Sequence, residues 1–257
     1  MEITRIVIIA LLCIFLLIVN ACAIAAPQPT TISQNKSILS TGVELFLGGF
    51  VKGAVAGTSN GSISDIKKAY SNAKNDIALA KKYFDNIVIT NSTEKLVRDQ
   101  FILMTDYYMV RMDLLSGEKE ATWQFINGIA AMGKGDYPSA KVDFNSAKSS
   151  YTAMEQNRVA MESTAKKIDP QAWDIVIPKH ENLTYIGKDL SQFIKDWTSL
   201  SQVGIHLSNA GIAKKQGNTN LMTSEIKNAL TILNTLKDSP VVGKQASLWN
   251  ASLDKKG

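Results

Sequence analysis

The chain reads as all-α: a bundle or irregular array of long antiparallel helices, paired as αα-hairpins, behind an N-terminal signal or anchor segment. Three observations predict this. Apolar residues recur at three- and four-residue spacing through most of the chain after residue 40. The more regular stretches hold that alternation for roughly four heptads. No segment alternates apolar and polar residues over the length of a strand; NIVIT at 86–90 comes nearest and is short and isolated.

Composition fits a globular protein with a sizeable core, since 45% of the 257 residues are hydrophobic and 20% charged. The net charge of +5 is interleaved along the chain, and the aromatics do not cluster with basic residues. Both facts argue against a nucleic-acid partner. The two cysteines, Cys13 and Cys22, lie in the N-terminal apolar segment. The body of the protein therefore has neither a disulfide framework nor a Cys-based zinc site.

The N-terminus comes first. Arg5 precedes an apolar run from Ile6 to Val19, the length of a signal-peptide core. Three fates stay open. Ala23-Ile24-Ala25 is an A-x-A site, with cleavage between Ala25 and Ala26. Val19-Asn20-Ala21-Cys22 resembles a lipoprotein box, making Cys22 a candidate lipidation site, although Asn20 departs from the usual residue. If Asn20 is tolerated, the run extends to Ala26 and can stay as an anchor. Each fate puts the rest of the chain outside the cytoplasm. Pro27 to Gln34 is rich in Pro, Thr and Ser. The expected division is therefore 1–25 signal or anchor, 26–40 tether and 41–257 helical domain, with sub-units 41–116, 117–169 and 170–257.

In GVELFLGGFVKGAVAG, 42–57, Gly49, Gly53 and Gly57 make a smooth face for close helix approach. Glu44 and Lys52 argue against a transmembrane span there, while a lipid-interface role stays open. Residues 63–87 carry Ile66, Tyr70, Ala73, Ile77, Ala80, Phe84 and Ile87 on one helical stripe, with Ser62 or Ser64 as cap. Residues 93–115 repeat the pattern with Leu96, Gln100, Leu103, Tyr107, Val110 and Leu114. A shorter helix is expected at 118–132, ending at Gly133 and Gly135.

The seam at 138–168 runs Ala140, Phe144, Ala147, Tyr151, Met154, Arg158, Met161, Ala165 and Ile168. Pro138 suits the first turn and Asp169-Pro170 the stop. A helix over 181–215 carries Leu183, Ile186, Leu190, Phe193, Trp197, Leu200, Gly204, Leu207 and Gly211. It would be about 50 Å long and must pack on its neighbours to persist. Gly217 and Asn218 end it; a helix over 220–237 and a short terminal one around Trp249 follow.

A weak repeat underlies these helices. Tyr70-x-x-Ala73, Phe144-x-x-Ala147 and Ile226-x-x-Ala229 lie roughly 74 and 82 residues apart. The stretch 123–151, WQFINGIAAMGKGDYPSAKVDFNSAKSSY, resembles a tetratricopeptide unit. Gly128 and Ala131 match the small residues of that family's first helix, Gly135-Asp136-Tyr137 its turn, and Ala140, Phe144 and Ala147 its second helix. Residues 210–229 echo it through Ala210, Ala213, Gly217, Ile226 and Ala229. The resemblance implies a protein-binding scaffold without catalysis. It covers one repeat well and one poorly, where an array needs three.

No pattern assigns catalytic, cofactor or metal residues. His180 and His206 have no His or Glu partner at helical spacing. Asp189 and Asp196 stand seven apart on one helix face and read as solvated. Lysine pairs at 81–82, 166–167 and 214–215 fall near helix C-termini and complement the helix dipole. Five sequons, at Asn35, Asn60, Asn91, Asn182 and Asn250, are candidate glycosylation sites, although Ser and Thr also gather at helix starts as caps. The expectation is an exported or surface-tethered helical module that binds an unknown protein partner and uses no cofactor. The alternatives are a membrane-interacting bundle working through 42–57 and a small-ligand-binding bundle.

Overall fold

A computed structural model of the chain describes residues 29–170, 172 and 182–254. These residues are helical, with no strand among them; 86–90 is loop. In order the helices are α1 (Pro29–Thr58), α2 (Ile63–Asp85), α3 (Ser92–Gly133), α4 (Tyr137–Ala165), a π-helical turn (Tyr185–Asp189) leading into α5 (Leu190–Lys215), α6 (Thr219–Leu236) and α7 (Gly243–Asp254).

Two differences from the sequence reading have local causes. The stretch composed like a tether is already helical from Pro29, a residue whose missing N–H costs nothing in a first turn. The chain also does not break near Gly117. α3 is one helix of 42 residues, about 63 Å long. A Cβ on Gly117 would lie 3.3 Å from Met154 Cγ, so this glycine serves close approach to α4.

Helix ends follow capping chemistry. Ser62 Oγ accepts from Asp65 N and donates to the Asp65 carboxylate. Asn91 Oδ1 accepts from Glu94 N while Glu94 Oε2 accepts from Thr90 N, a reciprocal pair. Gly135 and Gly217 have φ of 73° and 71°. At each, the following residue reaches back to a carbonyl five positions earlier, Asp136 N to Ala131 O and Asn218 N to Ala213 O. Asp136 and Asn218 then cap α4 and α6 by accepting from Ser139 N and Leu221 N.

The chain divides into two compact units. One takes residues up to Ser59, 68–112 and 160–186; the other takes 60–67, 113–159 and 187 onward. Neither is a contiguous stretch, unlike the sub-units expected from sequence.

In the first unit, α1 lies against α2 and α3 on a glycine face. Added Cβ atoms would meet Phe84 at Gly42, Ile77 at Gly49, Met112 at Gly53 and Tyr70 at Gly57. Phe46 and Phe50 set their rings edge-on to Tyr108, and Phe84 stacks on Phe101 at 4.8 Å. Lys81 pairs with Asp106 at 2.6 Å. The stripe expected on α2 from Tyr70 to Phe84 is fully buried. On α3 the stripe is displaced: Leu96 is 58% exposed, and Phe101, Met104, Thr105, Tyr108 and Met112 are buried. That helix carries apolar residues on two adjoining stripes, and its neighbours select between them.

In the second unit, an aromatic cluster fills the core. Phe125 touches Phe144, Trp197 and Trp249 at centroid distances of 5.3, 5.1 and 5.9 Å, and Tyr151 stacks on Trp197 at 5.6 Å. The Phe144 ring lies against both Gly128 of α3 and Gly204 of α5, and Tyr137 covers Gly211. These pairs, each seven residues apart on α4 and α5, continue the seam expected on α4.

Candidate functional site

Cys22, Ala25, Ala26 and His180 lie outside the described residues. The five sequon asparagines are described. Asn60, Asn91 and Asn182 are exposed. Asn91 and Asn182 use their side-chain oxygens as caps, the latter accepting from Tyr185 N at 2.9 Å. Asn35 is doubly engaged: Nδ2 donates to Val88 O at 2.7 Å and Oδ1 accepts from Val88 N at 3.0 Å. Asn250 Nδ2 donates to Asn234 Oδ1.

The lysine pairs have local partners. Lys166 bonds Glu162, and Lys215 donates to Gly135 O while resting 5.2 Å over the Tyr137 ring. Lys215 thereby ties the α3–α4 turn to the end of α5.

Asp196 corrects the sequence reading. Asp189 is exposed, but Asp196 is only 4% exposed. It accepts from Gln192 Nε2 at 2.7 Å and from Ser239 Oγ at 2.5 Å. Ser239 Oγ in turn accepts from the N–H groups of Val241 and Val242 ahead of α7. α5 is covered on more than one side, so its polar residues go inward too. Ser201 and Ser208 are buried and return their hydroxyls to Trp197 O and Gly204 O.

His206 is the centre of a polar chain across α4, α5 and α6. Lys148 Nζ donates to Gln202 Oε1 at 2.7 Å. Gln202 Nε2 stands 3.0 Å from His206 Nε2. His206 Nδ1 stands 2.5 Å from Glu225 Oε2, and Glu225 Oε1 accepts from Asn209 Nδ2 at 3.2 Å. Donor logic fixes every proton. An ammonium only donates, so the amide oxygen of Gln202 faces Lys148 and its NH₂ faces the ring. His206 Nε2 must accept, and Nδ1 carries the proton toward Glu225. Sequence spacing missed this chain because Glu225 reaches His206 from another helix. The one local sign was polar Gln202, His206 and Asn209 at four- and three-residue spacing on α5.

Beside Lys148 and Gln202 opens a shallow cleft of about 350 Å³, lined also by Thr198, Ser199, Thr231, Ile232 and Thr235. Four hydroxyls, one amide and one cation face it. Among the described residues no cluster of His, Cys, Asp and Glu is arranged to hold a metal ion.

Two apolar surfaces face outward. On α3, Trp123 is 48% and Ile126 57% exposed, and with exposed Ala130 they share a face by spacing. On α1, Val51 and Val55 are exposed, and residues 34–58 are long and apolar enough to cross a membrane by length and composition. The opposite face of α1 is the glycine face already engaged by Phe84, Ile77, Met112 and Tyr70.

The class these elements define is an all-helical protein of long, heptad-packed helices. Compared with protein-family models, curated proteins and solved structures, the chain matches none.

Proposed function

We propose that this protein is an exported or surface-tethered helical binding module that docks a protein partner and performs no catalysis. The observation that carries the reading is the outward face of Trp123 and Ile126. A half-exposed tryptophan beside an exposed isoleucine, on a long helix anchored by Phe125, has the composition of a binding hot spot. The two hairpins turned at Gly135-Asp136 and Gly217-Asn218 support a tetratricopeptide-like construction, in which helix pairs present such faces. Photo-crosslinking from Ala130 in the native host tests the reading. A discrete crosslinked protein that disappears with Trp123→Ala is expected; no crosslink, or one indifferent to Trp123, overturns it. The intact mass of the mature protein tests export, distinguishing cleavage after Ala25, lipid on Cys22 and glycans on the sequons.

A second reading rests on the outward Val51 and Val55 of α1, which would contact a lipid interface. Liposome flotation of protein lacking residues 1–25 tests it. Flotation abolished by Val51→Asp supports membrane contact, and protein left at the bottom of the gradient removes it.

A further inference from the structure

We propose that the hydroxyl-lined cleft beside Lys148 is an oxyanion-binding site that a second proton on His206 switches on. The lining suits a small oxyanion, since Thr198, Ser199, Thr231 and Thr235 offer hydroxyl donors around a single cation, Lys148. With His206 neutral, that cation is spent on Gln202 Oε1 at 2.7 Å. Gln202 is held in this orientation from its other end, where its NH₂ faces the unprotonated Nε2 of His206 at 3.0 Å.

Histidine takes up a second proton between about pH 5 and 8. Here the new Nε2–H would point at the NH₂ of Gln202, donor against donor. Turning the amide over relieves this, with Oε1 accepting from His206 and the NH₂ swung toward Lys148. The ammonium then has no acceptor in Gln202 and turns to the cleft. The charged groups facing His206 are Glu225 from α6, which favours the second proton, and Lys148 from α4 across Gln202, which opposes it. On α5 itself its neighbours Gln202 and Asn209 are uncharged. The proton is taken up from solvent, no covalent bond changes, and oxyanion binding is accompanied by proton uptake.

The test uses ¹⁵N-labelled full chain carrying His180→Asn, which leaves His206 as its histidine. At pH 8 the ring nitrogens should report the Nδ1–H tautomer. Sulfate is the probe because its charge is the same at both pH values. Followed through the amides of Thr198 and Thr231, it should bind at least about tenfold more tightly at pH 5.5 than at pH 8, an ordinary site-to-site coupling. Lys148→Met should abolish binding and Lys148→Arg retain it, each with an unchanged far-UV spectrum. Gln202→Leu should bind sulfate equally at both pH values. An Nε2–H tautomer at pH 8, pH-independent or absent sulfate binding, or binding that survives Lys148→Met overturns the proposal.

Discussion

Gly204 and Phe144 meet as a hole and the knob that fills it: a Cβ on Gly204 would stand 2.6 Å from ring carbons of Phe144. Phe144 is fully buried and shares its ring with Phe125 and Trp249, so it cannot yield. Gly204→Ala is expected to cost about 1–3 kcal/mol by overpacking. Gly48, also in a helix, has nothing within 4 Å of an added Cβ. Gly48→Ala should instead raise stability, by up to about 1 kcal/mol from helix propensity. Urea unfolding midpoints of the two variants check the contrast.

Asp196→Ala should destabilise by about 1.5–3 kcal/mol, the range for hydrogen bonds to a charged group. It strands Gln192 and Ser239 at once, and Ser239 also organises the entry to α7. Ser239→Ala should cost less, because Asp196 keeps Gln192. Thermal melts of both variants and of the double variant measure the coupling, and additive losses would show that the two residues do not act together.

The Asn218 cap gives a local test. Its side chain accepts from Leu221 N just after Gly217 at φ 71°. Asn218→Ala is expected to cost about 1 kcal/mol. Hydrogen exchange should localise the loss to the first turn of α6.

Glu118 predicts a pH dependence. Burial raises its carboxyl above the usual carboxylate range, and the Lys119 charge opposes the shift. A raised carboxyl contributes stability at low pH and loses it as pH rises through the folded-state value. Glu118→Gln should therefore raise the thermal midpoint at pH 7, and the gain should vanish below the ordinary carboxylate range, about pH 4. A gain that persists at acid pH would place the effect elsewhere. Burial also pushes the neighbouring Tyr151 up to about 12, against a lowering hydrogen bond from Thr122.

Periodicity made the seams legible. Every position expected on α4, from Ala140 to Ile168, is buried, Arg158 included, its guanidinium bonded to Glu155 and reaching Gly187 O. Ser62 caps α2, and the glycines at 49, 53 and 57 meet neighbouring helices closely. What stayed illegible depends on more than one helix. Leu96 and Phe101 compete for the buried face of α3, and only the partners of that helix decide. Asp196 looks solvated by spacing until Ser239 arrives from a turn 43 positions away. The polar chain through His206 needs Lys148, Gln202 and Glu225 from three helices. The sequence offered α5's polar positions but not their partners.

The segmental make-up of the two units sets a limit on dissection. Neither can be excised as a cassette, because each is written in three separated passages and the boundaries at 112–113 and 159–160 fall inside α3 and α4. A truncation at either boundary discards residues of both units and leaves a cut helix with its seam uncovered. Deletion mapping would therefore report loss of folding wherever the cut is made, and point substitutions on single faces are the instrument that can separate the roles of the two.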